Sequence, residues 1–213
     1  KVMGFDLMVN FNRPYFSLNL REMWRRWHIS LSMFIRDYVY VPLSGRLGYG
    51  AAFLCMVIFG FWHGARWTFV LWGASHGVLL FAYQKIAPWL ARHIRPEKRI
   101  WVITWAVVRV VFVYNLWSLL GVFFAANSLT QSGEWLVQLL DFHFESIAAA
   151  DLKKFAFLVV PLVLVELAQE LFADDHVHLR LPAPLQGLVR AAFLYLIVVY
   201  GVFDEAKFVY FQF

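Results

Sequence analysis

His63 is the first residue in this chain whose surroundings suggest chemistry. It sits in Gly60-Phe61-Trp62-His63-Gly64-Ala65-Arg66, between two runs free of Asp, Glu, Lys and Arg: Ala51 to Trp62 and Trp67 to Gln84. Ionisable groups in apolar segments are costly and mark functional sites by default. A neutral imidazole is tolerated there better than a carboxylate. It also titrates near neutrality, which suits a general base. The competing reading is a buried histidine bonded to a backbone carbonyl. His28 is the second candidate, in Trp24-Arg25-Arg26-Trp27-His28-Ile29-Ser30. Two arginine forks beside two tryptophans suit an anionic group, such as the phosphate of a donor. The same residue types also collect at membrane interfaces.

Other candidates carry less. His76 follows His63 by one helical segment, and a haem or metal reading would need both rings turned inward at matched depth. No carboxylate or cysteine stands at ligand spacing beside them. One cysteine, Cys55, excludes a disulfide scaffold and a multi-cysteine metal site. His176-Val177-His178 reads as a solvated loop or a weak surface metal pair. Glu166 and Arg190 fall in separate apolar segments and suit a structural pair inside a bundle. Arg36-Asp37 suits an ion pair with other segments, since neighbours on a helix do not face each other. The chain has no Gly-rich phosphate loop, G-x-S-x-G or H-E-x-x-H.

The elements that must position these residues follow from composition. Of 213 residues, 62% are hydrophobic and only 15% charged, against about 45–50% and about 25% in soluble domains. That excludes an ordinary soluble domain and a disordered chain. The apolar runs are continuous rather than alternating, which favours helices over a transmembrane β-barrel. The net charge of +5 is small for a nucleic-acid binder and better explained by basic membrane edges. The expected fold is therefore an all-α integral membrane protein. It is a multi-helix bundle with re-entrant or interfacial amphipathic helices.

The pattern predicts one interfacial or re-entrant amphipathic helix across Trp24 to Tyr40. Asn19 and Glu22 supply a capping box, and Pro42 and Gly45 close it. Two helical segments then meet near His63. Residues 85–99, rich in Lys and Arg, read as a cytoplasmic loop. Ile100 to Ala126 reads as a span interrupted by Arg109, with residues 127–154 as a polar connection on the opposite side. Phe155 to Phe172, with Pro161 as a kink, and Leu185 to Phe203 read as further spans. Residues 173–184 form the loop between them.

Arg13-Pro14-Tyr15, the stretch Trp24 to Ser32 and Arg36-Asp37-Tyr38-Val39-Tyr40-Val41-Pro42-Leu43 together resemble a family signature. So do Gly60-Phe61-Trp62-His63-Gly64-Ala65-Arg66-Trp67-Thr68, Trp72-Gly73, His76-Gly77, Val122-Phe123-Phe124 and Tyr210-Phe211-Gln212-Phe213. The signature is that of the membrane-bound O-acyltransferases, in the branch of alginate O-acetyltransferases. Ala125 stands where this branch usually has Arg, and Leu43-Ser44-Gly45 where it has Leu-Gly-Gly. Members are longer, so the resemblance implies that residues 1–213 are a single membrane domain, the C-terminal, motif-bearing portion of a longer protein.

The resemblance implies a site as well. His63 is then the residue essential for acyl transfer and His28 a second active-site histidine, both inside a tunnel across the membrane. Trp24, Arg25, Arg26, Arg36, Asp37 and Trp62 would bind the donor or line the tunnel. No permanently bound cofactor or metal is implied. The acyl donor would be acetyl-CoA or an acyl-carrier protein. The acceptor would be a hydroxyl of a cell-envelope or exported polysaccharide, or extracytoplasmic acetyltransferase partner proteins that finish the transfer. Membrane lipid surrounds the chain, nucleic acid plays no part, and the location is the bacterial cytoplasmic (inner) membrane, crossed several times. Two other classes fit the residues taken alone. One is a transporter or channel component lined by His63, Glu166 and Arg190. The other is a haem or metal protein using His63 and His76.

Overall fold

The computed structural model describes residues 4, 7–140 and 149–201. The Tyr210-Phe211-Gln212-Phe213 tail and the end of the Leu185–Phe203 segment lie outside them. Every regular element among the described residues is helical, which is the expected fold class. The chain divides into two compact units, Lys1–Phe142 and His143–Phe213.

The first unit begins with a 3-10 turn, Pro14–Phe16, followed by α1, Leu20–Arg26. Asn19 caps α1, its side-chain oxygen accepting from the Glu22 N–H at 2.9 Å, and Glu22 accepts in return from the Leu18 N–H at 2.9 Å. The expected single helix from Trp24 to Tyr40 is broken. After α1 comes α2, Ile29–Ile35, then a π-helical turn, Arg36–Tyr40, then α3, Val41–Leu47. The break falls at His28, whose backbone is left-handed at φ 45°, ψ 51°. Side-chain-bearing residues enter that region only at a cost of about 1–2 kcal/mol, so neighbours must enforce it. Pro42 does not end the helix. It occupies the first turn of α3, where its missing N–H costs nothing. The chain turns instead at Gly48, with φ 51°.

The hairpin of α4, Tyr49–Trp62, and α5, Trp67–His93, forms the centre of this unit. Ala51, Cys55, Phe59 and Gly60 are the buried positions of α4, and Thr68, Phe69, Trp72, Gly73, His76 and Gly77 those of α5. Both sets recur at three- and four-residue steps, one stripe on each helix. Glycines set the closeness: a Cβ on Gly60 would collide with the Phe69 carbonyl, one on Gly73 with the Met56 carbonyl, and one on Gly77 with Phe53. The core joins Trp24, Ile35, Cys55, Phe59, Trp72 and Leu120.

The basic stretch 85–99 is mostly helix rather than loop. α5 continues through Pro88 to His93, leaving residues 94–98 as the connection. Its last carbonyls are met by side chains, with His93 Nδ1 2.8 Å from the Trp89 carbonyl and Arg95 Nε, just beyond the helix, donating to the Ala91 carbonyl at 2.8 Å. Positive charge at a helix C-terminus is favourable. α6, Arg99–Ala125, is the longest apolar helix. Arg109, partway along it, donates Nε to the Leu18 carbonyl at 2.9 Å, tying α6 to the start of α1. The polar stretch expected after α6 contains α7, Leu129–Leu140. Ser128 accepts from the Gln131 N–H at 3.1 Å, and Gln131 accepts from the Asn127 N–H at 2.7 Å. This repeats the start of α1.

The second unit holds α8, Ala149–Phe172, and α9, Ala183–Tyr200. Pro161 lies within α8, and the connection between the helices includes a 3-10 turn, Val177–Arg180. Asp174 pins that connection, accepting from the His176 N–H at 2.8 Å and from Arg180 Nε at 2.9 Å. These bonds hold its carboxyl below its usual pKa, the His176 N–H contributing most. Arg190 donates to Gln186 one turn earlier at 3.4 Å.

Three helical segments, Arg99–Ala125, Leu152–Phe172 and Ala183–Tyr200, are long and apolar enough to cross a membrane. They expose side chains such as Phe112, Leu164 and Leu194, as lipid-facing helices do. At 14 residues, α4 is about 21 Å long, short of the roughly 30 Å hydrocarbon core.

Candidate active site

His63 is the last corner of the α4–α5 hairpin. Its N–H donates to the Gly60 carbonyl at 3.1 Å and ends α4. Gly64 follows at φ 149°, a conformation that disfavours any side chain. Arg66 then lies over the Phe69 ring at 4.4 Å and donates to the Asn127 side chain at 3.3 Å. The tip is thereby tied to the segment joining α6 and α7. The His63 ring sits among Trp62, Trp72 and Phe124, with centroids at 4.8, 5.5 and 4.8 Å.

His28 reaches the same place from the α1–α2 break. Its ring centroid is 6.2 Å from that of His63, at an interplanar angle of 50°. Phe59 packs on both rings, 6.2 Å from His28 and 6.1 Å from His63, and Trp62 touches both. The segment 10–12 enforces the left-handed backbone of His28. The Asn12 N–H donates to the Arg26 carbonyl at 2.9 Å, and the Ile29 N–H donates to the Asn10 carbonyl at 2.9 Å. The Asn10 side-chain oxygen accepts from the Ser30 N–H at 3.0 Å and its hydroxyl at 2.8 Å. Asn10 therefore satisfies two of the unpaired N–H groups that open α2. Phe11 closes over the His28 ring at 4.7 Å. Burial lowers the pKa of His28.

A cavity of about 230 Å³ lies beside the pair, lined by Arg21, Arg25, Arg36, Trp24, Cys55 and Phe59 among others. Phe59 thus borders both the cavity and the two histidines. Arg25 lines this cavity, whereas Arg26 is occupied elsewhere. It bonds Glu22 at 2.7 Å and the Arg13 carbonyl at 3.4 Å. The two arginines do not form one fork. Arg36 also deviates from expectation, because it pairs with its own neighbour. Its Nε and Nη2 reach the Asp37 carboxylate at 2.7 and 3.1 Å. The π-helical turn reduces the rotation between adjacent residues, and the long arginine side chain covers the rest. That bond holds the Asp37 carboxyl below its usual pKa.

Trp24 is buried where Phe59, Trp72, His76 and Trp117 converge. His76 is fully buried against Trp24, Trp72 and Trp117. Among the described residues, neither of its ring nitrogens has a hydrogen-bond partner, and the same holds for Trp24 Nε1. His63 and His76 each pack on Trp72. Among the described residues no group of three or more His, Cys, Asp or Glu gathers. His176 and His178 lie 6.3 Å apart by ring centroid.

Sequence reasoning missed Asn10, Phe11, Phe59 and Arg21. Asn10 had a legible polarity but no local partner. Its role needs a contact twenty residues away. Phe59 and Arg21 could be found only by helical phase, Phe59 on the buried stripe of α4 and Arg21 one turn before Arg25.

The sequence profile of MBOAT, the membrane-bound O-acyltransferase family, matches residues 2–128, more than half of the chain. The chain belongs to this family. Its relatives include a "Probable alginate O-acetylase AlgI" of Azotobacter vinelandii, 35% identical over 199 residues, covering 89% of this chain and 37% of the relative. A protein of the same name in Pseudomonas aeruginosa is 45% identical over 118 residues, covering 53% and 22%. A "Peptidoglycan O-acetyltransferase" of Helicobacter pylori is 38% identical over 133 residues, covering 59% and 24%. The matched part is at most 37% of the length of these three relatives. The family match takes in α1 to α6 and hence His28 and His63.

Proposed function

We propose that this chain is the motif-bearing part of a multi-pass O-acyltransferase of the bacterial cytoplasmic membrane. It transfers an acyl group, acetyl, to a hydroxyl of an envelope or exported polysaccharide, or to an extracytoplasmic partner that completes the transfer. The observation that carries this reading is the His28–His63 pair, 6.2 Å apart. One oxygen can sit between such rings when each facing nitrogen lies about 3 Å from it.

In this reaction His63 removes the proton from the acceptor hydroxyl as general base. The oxygen attacks the thioester carbonyl, the new C–O bond forms, and the C–S bond breaks. The thiolate leaves and takes the proton back from the His63 imidazolium. His28 orients the acceptor or donates to the oxyanion, in an aromatic enclosure where such a bond is stronger than in water. Arg21 and Arg25, which line the cavity, supply the cations that would meet the phosphates of acetyl-CoA or of the prosthetic arm of an acyl-carrier protein. Names of the relatives support the class: they act on alginate and peptidoglycan as O-acetylases or O-acetyltransferases.

The test is label transfer from acetyl-CoA in membranes carrying the full-length gene product. His63→Ala is expected to abolish transfer and His28→Ala to lower it by about 10²-fold or more, at equal protein level. Wild-type rates in His63→Ala membranes would overturn the assignment.

A further inference from the structure

A second concavity lies on the first unit, away from the histidines. A cavity of about 410 Å³ opens between the start of α1, α5 and α6, with Leu79, Ile86, Phe112 and Arg109 among its walls. An adjoining cavity of about 360 Å³ is lined by His93, Arg95, Trp101 and Thr104. Trp105 and Val108 wall both, so the two form one groove along α5 and α6.

The charges in this groove share a pattern. Arg109 spends Nε on the Leu18 carbonyl, and Arg95 spends Nε on the Ala91 carbonyl. Among the described residues neither guanidinium has another hydrogen-bond partner. Each therefore lines an otherwise mostly apolar groove with both terminal nitrogens uncommitted among the described residues. A cation beside apolar surface at membrane level is costly unless an anion accompanies it. Lys98 and Arg99, against the single acid Glu97, leave the same connection net positive.

We propose that this groove holds one anionic phospholipid. Its phosphate lies against Arg95 at the outer end, its glycerol ester oxygens reach Arg109, and an acyl chain fills the space between α5 and α6. Charge complementarity selects the headgroup, because basic pockets between membrane helices recognise anionic lipids. The apolar length of the groove selects a lipid over a free phosphate. This site is separate from the acyl-transfer reading and does not depend on it.

Native mass spectrometry of the purified full-length protein tests the proposal, with phosphatidylglycerol or phosphatidylcholine added in detergent. One phosphatidylglycerol is expected to stay bound, about tenfold or more in preference to phosphatidylcholine. The double variant Arg95→Gln, Arg109→Gln should lose the preference. Arg95→Gln alone, which leaves the Leu18 bond intact, should weaken it severalfold, so a folding defect at Arg109 does not confound the result. Ile86→Trp, which fills the cavity, should reduce retention of both lipids. Equal retention of the two lipids, or an unchanged preference in Arg95→Gln, would overturn the assignment. So would a wild type that holds neither lipid, as when another part of the full-length protein occupies the groove.

Discussion

Gly60 and Gly73 meet across the α4–α5 hairpin: a Cβ built on Gly60 would stand 3.2 Å from the Gly73 Cα, and one on Gly73 would stand 3.1 Å from the Gly60 nitrogen. Both would also strike a carbonyl of the facing helix. Backbone cannot move aside as a side chain can. Gly73→Ala is therefore expected to cost at least about 2 kcal/mol and to pull His63 from its aromatic enclosure. A thermal-shift series on the purified full-length protein checks this. Gly187→Ala, in open space on α9, is the control and should leave the midpoint nearly unchanged. Equal midpoints for the Gly73 and Gly187 variants would contradict the packing argument.

Asn10 holds the chain at the α1–α2 break where His28 sits. Its backbone carbonyl and side chain take the first two N–H groups of α2. Asn10→Ala should lose the side-chain bonds, lower stability by about 1 kcal/mol and reduce transfer. Asn10→Asp keeps an acceptor oxygen and should retain most of both. A complementary variant, His28→Gly, relieves the left-handed backbone by about 1–2 kcal/mol but removes a ring packed on Phe11, Phe59 and Trp62, so the melting temperature should change little while transfer falls. Loss of stability and activity together in His28→Gly would show that the ring is needed for folding.

Arg25 and Arg26 are neighbours in sequence but divide their work. Arg25 lines the cavity beside Phe59, while Arg26 pairs with Glu22. Arg25→Ala should raise KM for the acyl donor about tenfold or less, with little change in melting temperature. Arg26→Ala should lower the melting temperature, because Glu22 loses its partner, and should leave the donor KM closer to wild type. Steady-state kinetics with thermal unfolding on both variants separates the two roles. The opposite pattern would reverse the assignment of which arginine meets the donor.

His76 is a buried polar ring whose nitrogens have no partner among the described residues. Replacing such a group by an apolar one of similar shape is close to neutral or stabilising. His76→Phe should therefore keep its melting temperature and most of its transfer activity, in contrast to His63→Ala. A complete loss of activity in a folded His76→Phe protein would give the ring a direct part in the reaction.

Much of this was readable in the residues. The Asn19–Glu22 cap, the two helices meeting at His63 and the apolar segments carried by α6, α8 and α9 all follow from local pattern. The failures have a common cause. Trp24 to Tyr40 has helical periodicity throughout, yet residues 10–12 pay for a left-handed turn at His28 that no local rule anticipates. Pro42 reads as a helix end but stands in the first turn of α3, and the basic stretch 85–99 reads as a loop although α5 runs on through it to His93. Ser128 and Gln131 have the same spacing as Asn19 and Glu22, yet their helix was hidden in a polar stretch. The candidate residues were visible as residue types: His28 and His63 were both legible, and the fold brings their rings together. That Arg26 serves the scaffold and Arg25 the cavity depends on which way a seven-residue helix is turned.

The unequal arms of the α4–α5 hairpin bear on how the protein enters the bilayer. Fourteen residues of α4 against twenty-seven of α5, joined by a four-residue corner, cannot be threaded as two independent crossings. Insertion machinery should accept them as one folded pair, the short apolar α4 locked to the longer α5 by their glycine seam. The depth at which His63 comes to rest is then decided during biogenesis by the pair rather than by either arm. A reporter fused behind α4 alone should stay untranslocated and loosely attached, and one fused behind both arms should become carbonate-resistant. Firm integration of α4 by itself would show that the arm finds its own level.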